Sequence, residues 1–127
     1  MKIFRFDTEV GHQLTAFGSH DVVLSRILRT TDRVQIGCIR VQPDGVIALH
    51  KAVGPQLMLV VQGEGWVRGR EDSRTPVHAG QAVYWKDGEW HETGSESGLT
   101  AIVVEGAALE PERVMPEVDP NGEGEGT

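Results

Sequence analysis

The sequence predicts an all-β fold in a single domain, and three observations carry that reading. At 127 residues the chain fills about one domain, with one core that buries about two-thirds of its unfolded surface. Its Val/Ile/Leu runs are short and its 16 glycines fall between them, the punctuation of short strands and tight turns, so helix-rich readings fit poorly. Residues 56–62 alternate with period two, Gln56, Met58 and Val60 on one side and Leu57, Leu59 and Val61 on the other. Apolar groups on both sides mark a strand that is covered twice.

Residues 1–21 read as an N-terminal arm. Ile3, Phe4 and Phe6 set against Lys2 and Arg5 suit a short edge strand, packed on its own chain or on a neighbouring subunit. Residues 11–21 lack a period and read as a loop whose His12 and His20 face solvent. The folded body is read over 22–106. Residues 22–29 and 34–42 have strand character, and the polar Thr30-Thr31-Asp32-Arg33 between them suits a hairpin, which makes the two an antiparallel pair.

On the second of these strands Val34, Ile36, Cys38 and Arg40 share a face. Facing inward, Arg40 would offer a permanently charged donor fork to a carboxylate or phosphate ligand; at the rim it would pair with an acidic residue. Cys38, among apolar neighbours, reads as a buried, inert thiol. Pro43-Asp44-Gly45 and Gly54-Pro55 are turns, Gly63-Glu64-Gly65 a hairpin turn, 71–74 an exposed charged tip and Asp87-Gly88 a further turn. Strands are expected at 75–78, 82–85, 91–93 and 99–105. After Gly106 the composition shifts to Pro111, Pro116, Pro120 and a closing Asn-Gly-Glu-Gly-Glu-Gly-Thr, read as a mobile acidic tail over 107–127 with Leu109, Val114 and Met115 as its docking groups.

Two segments bracket the chemistry. In the first, Gly45 is followed by four residues, then His50, Lys51, Ala52, three residues, Gln56, six residues and Gly63. In the second, Gly80 is followed by five residues, then Lys86, Asp87, Gly88, two residues, His91, three residues and Ser95. This pair, with residues 64–79 between, resembles the two motifs of the cupin superfamily over 22–105. His50 fills the first histidine place of motif one, Ala52 the second and Gln56 the glutamate place. In motif two His91 stands at its histidine place, with Lys86 for the usual proline and Ser95 for the usual asparagine.

The resemblance implies a jelly-roll β-barrel of two antiparallel sheets, a homodimer paired through an outer sheet edge, and a divalent transition metal such as zinc, nickel, iron, manganese or copper in the lumen. His50, Gln56 and His91 are the ligands it leaves, with His50 and His91 as ordinary hydrogen-bonding groups of a metal-free cavity the competing reading; Ala52 has no donor atom, and the Gln56 amide binds a dication more weakly than a carboxylate. The expected function is small-molecule binding or sensing around an incomplete metal site, with Arg40, Met58, Tyr84 and Trp85 as candidate substrate contacts and Trp90 turned away from His91. Two alternatives stand beside it: a metal-dependent oxygenase or isomerase that tolerates three ligands, and a metal-free isomerase or epimerase using a histidine near neutrality.

Other classes are disfavoured. A net charge of −7 repels nucleic-acid phosphates. One cysteine makes no internal disulfide, and no apolar run of about 18 residues or leader is readable, so a cytoplasmic protein without membrane contact is expected. No glycine-rich phosphate loop and no Ser-His-Asp pattern is present.

Overall fold

The structure, a computed structural model, describes residues 1–118. Along them run β1 (Lys2–Arg5), β2 (His12–Gln13), β3 (Val23–Leu24), β4 (Val34–Val41), β5 (Gly45–Lys51), β6 (Gln56–Arg68), β7 (Thr75–His78), β8 (Gln81–Trp85), β9 (Trp90–Ser95), β10 (Leu99–Gly106) and β11 (Glu117–Val118), with short 3-10 turns and no α-helix among the described residues. No described helix is long and apolar enough to cross a membrane.

The strands make two antiparallel layers, the jelly-roll barrel expected from the sequence. One layer has the order β11-β1-β8-β6-β10-β4; in the other, β7 and β9 flank the second half of β6, and β5 pairs β9. Strand β6 therefore serves both layers. Its first half pairs β8 and β10, and the chain turns a corner near Gly63. There φ is +83°, and a Cβ would sit 2.3 Å from the Gly98 carbonyl oxygen, so only glycine lets the two backbones approach. The hairpin expected at 63–65 is thus a bend inside one 13-residue strand. The hairpin itself lies at 69–74, between β6 and β7.

Alternation along β6 divides the apolar groups between two cores. Met58 and Val60 join Val67, Val83, Trp85, Leu99 and Ala101 in the lumen between the layers. Leu57 and Leu59 join Phe4, Ala82 and Val104 on the outer side of the larger layer, beneath Leu109 and Met115. Full burial of one such side chain stabilises by about 1.5–3 kcal/mol, so both cores matter.

The ends of the chain are more integrated than expected. Strand β1 lies between β8 and β11 in the larger layer, so residues 1–21 are not an arm throughout. Leu109 and Met115 dock as expected, and β11 extends the sheet beyond 106. The part of the expected tail at 119–127 lies outside the described residues. Residues 22–29 are not paired with 34–42: β3 is two residues long and pairs β2, while β4 pairs β10. Ile27 and Leu28 spend their apolar character on the outer core instead of on a ladder.

Candidate functional site

The β5–β9 ladder sets His50 directly opposite His91. Ile47 pairs Thr93, two residues from His91 and on its face, yet His50 is three residues from Ile47. In a regular strand Ile47 and His50 would point to opposite sides. The register shift between them corrects the parity and brings the imidazoles together, with ring centroids 4.3 Å apart and planes at 50°.

Each ring has a defined state. His50 Nδ1 lies 2.7 Å from the Ala48 carbonyl oxygen. A carbonyl only accepts, so Nδ1 carries a hydrogen, and in the neutral ring the lone pair is on Nε2. His91 is 5% exposed and stacks against Trp85 with centroids 4.1 Å apart. Burial, reinforced by the neighbouring His50 and opposed by Glu89, lowers its pKa from 6.5 to about 4, so the ring is neutral at neutral pH. Its Nε2 is buried with no hydrogen-bond partner among the described residues, and the same holds for Trp85 Nε1. Two adjacent orphaned nitrogens mark a place where something polar belongs.

Gln56 sits opposite Trp85 on β8 and Glu105 on β10. Its Nε2 donates to Glu105 Oε1 at 3.1 Å, which ties the amide to that carboxylate. Glu105 is a residue the sequence reading did not single out. Leu99, Ala101, Val103 and Glu105 alternate on one face of β10, and the first three face the lumen, so assigning faces to 99–105 would have found it.

Of the other candidates, Met58 and Trp85 are in the lumen, each 2% exposed. Tyr84 is not. It follows Leu57 onto the outer core, where burial and then Glu112 and Glu89 raise its pKa. Arg40 is also outside: Ile39 and Val41 take the inner face of β4, so the Val34, Ile36, Cys38 and Arg40 face points outward. That placement also leaves Cys38 exposed, not buried. Trp90 faces away from His91, with Arg70 and Lys51 near its ring.

The donors that a metal would find here are two imidazole nitrogens. The His91 imidazole is neutral at neutral pH, and the carbonyl that takes His50 Nδ1–H turns the ring so that Nε2 is its remaining nitrogen, the arrangement metal-binding histidines use. Ala52 is 2% exposed within the inner core and contributes no donor. Among the described residues no three His, Cys, Asp or Glu side chains gather to enclose an ion. Any metal would keep open positions for water or ligand.

Comparison with known proteins bears on the fold. A family model described as a cupin domain matches residues 37–106. Among solved structures, a cupin superfamily protein from Desulfitobacterium hafniense is 20% identical with a TM-score of 0.53, over 67% of this chain and 77% of that one. A cupin-like protein from Thermotoga maritima is 18% identical with a TM-score of 0.56, over 70% and 69%. A mutant salicylate 1,2-dioxygenase from Pseudoaminobacter salicylatoxidans is 15% identical with a TM-score of 0.53, over 57% of this chain and 20% of that one. At these identities the likeness is one of fold. The search of curated proteins found no match.

Proposed function

Since the chain belongs to the cupin family, we propose that it binds a small molecule in the lumen around His50 and His91, with a divalent transition metal held there weakly by the two imidazoles. The observation that carries this is the buried, unpartnered His91 Nε2, 4.3 Å ring to ring from a histidine whose tautomer leaves Nε2 free. In this reading Met58 and Trp85 exclude water and Trp85 Nε1 offers a donor to the ligand. Gln56, its Nε2 given to Glu105, would add its amide oxygen as a further, weak donor. A bound metal would supply Lewis-acid polarisation of a ligand oxygen. Binding or sensing is favoured over turnover because Ala52 leaves the donor set short. The acid–base alternative without metal is weaker with His91 as the base: a ring whose pKa is lowered to about 4 is a poor base at neutrality.

We also propose a homodimer through the edge of β4 at its Ile36 end. The other edge of this eight-residue strand pairs β10, Ile36 is 63% exposed, and Arg40 lies four residues away toward the far end of the strand, outside the contact. The lone cysteine suits a reducing cytoplasm.

Elemental analysis of tag-free protein after reconstitution tests the metal. Zinc or nickel well above a tenth of an equivalent, lost in His91→Ala, is expected; less than about a tenth of an equivalent would remove the metal from the proposal. Ligands are then sought by thermal shift among keto acids, sugar nucleotides and small phenols, where a ligand at 100 times its Kd adds about 2.7 kcal/mol. Stabilisation that survives in His50→Ala and His91→Ala would place binding elsewhere.

A further inference from the structure

The guanidinium of Arg40 has no use in the lumen, and its actual surroundings point to a different site. Arg40 lines a cleft of about 510 Å3 at the opposite end of the barrel from the histidines. The β5–β9 register fixes the two ends: Gly45 pairs Ser95 at one and His50 pairs His91 at the other, roughly 13 Å apart along the strand. Around the cleft stand the Gln42 and Gln62 amides and the Ser97 and Thr100 hydroxyls, and none of the ten lining residues is acidic. In a chain with 19 acidic residues against 12 Lys and Arg, that leaves Arg40 as the only charge in the lining. It makes no salt bridge or hydrogen bond with a side chain among the described residues, so its donor fork is uncommitted.

The cleft is also preformed. Gly63 and Gly98 both have positive φ, +83° and +108°, and their turns meet closely enough that a Cβ on Gly63 would touch the Gly98 carbonyl. Buried Ser95 ties the two turns: its Oγ donates to the Glu64 carbonyl at 2.6 Å and accepts from Gly98 N–H at 2.8 Å. Gln62 and Ser97, which flank those turns, are therefore carried on a cross-braced corner.

We propose that this cleft is an oxyanion site, separate from the histidine centre, which takes the carboxylate or phosphate group of a small metabolite. Arg40 supplies the charge and a planar pair of donors. The amides and hydroxyls supply neutral hydrogen bonds to the remaining oxygens. No carboxylate in the lining opposes the ligand.

The test is a backbone amide NMR titration of the full chain with sodium phosphate and, separately, sodium acetate, at ionic strength held constant with sodium chloride. Saturable shifts confined to amides around Arg40, Gln62 and Ser97 are expected with at least one anion, and the anion that saturates identifies the head group. Arg40→Gln and Ser97→Asp should each weaken binding about tenfold or more, through the lost charge-assisted bonds and the added repulsion. Arg40 and Ser97 are exposed, so both variants should fold. His91→Ala should leave the affinity unchanged, which separates this site from the lumen. No saturable shift at the cleft with either anion, or equal affinity in Arg40→Gln, would overturn the proposal.

Discussion

Protonating His91 inside the folded chain costs the burial of a charge beside a second imidazole, and this ties stability to pH. The unfolded chain takes up the proton near pH 6.5, the folded chain only near 4. Between those values the unfolded state binds more protons, so stability present above 6.5 is lost as the pH falls, by about 3 kcal/mol near pH 4. Urea unfolding at pH 7 and 5 should show the slope in metal-free protein, and His91→Gln should remove it. Gln56→Glu sets a second carboxylate against Glu105, so without metal it should destabilise by about 1 kcal/mol, measured by denaturant midpoint. Combined with Ala52→His it should tighten metal binding in a calorimetric titration. His50 and His91 were legible in the sequence because spacing marks them. Glu105 was not: it sits in no motif, and its role depends on which face of β10 looks inward. Arg40 and Tyr84 were misplaced for the same reason. A strand fixes which residues share a face, but whether that face is the lumen is decided by the partner strands.

At the scale of elements, β6 is the strand on which both layers depend, and its corner rests on Gly63. Gly63→Ala imposes a left-handed conformation on a side chain and drives a Cβ to 2.3 Å from backbone. Loss of about 2–4 kcal/mol is expected in chemical denaturation. The strands at 75–78, 82–85 and 99–105 were readable because alternation and glycine turns bound them. The bend at 63–65 looked like a hairpin turn, since glycine serves a tight turn and a close backbone approach alike. Residues 22–29 looked like a strand because Ile27 and Leu28 are apolar; only the packed molecule shows that they cover the outer core from outside a ladder. The register shift between Ile47 and His50, on which the site depends, has no sequence mark.

At the scale of the whole molecule, the outer core is closed by chain that the sequence assigned to a tail. Met115 is 3% exposed against the outer core that includes Leu57 and Val104, so Met115→Ala should cost about 2–4 kcal/mol by thermal or urea unfolding. Sedimentation velocity should give a dimer that Ile36→Lys converts to monomer; a monomeric wild type would contradict pairing through β4. The histidine centre itself is most directly tested by imidazole nitrogen NMR during zinc titration. Together with a buildup to about one equivalent, the Nε2 resonances of His50 and His91 should shift in concert, and both responses should vanish in either alanine variant. Shifts confined to His12, His20 and His78, or a response of His50 that persists without His91, would contradict a shared centre inside the barrel.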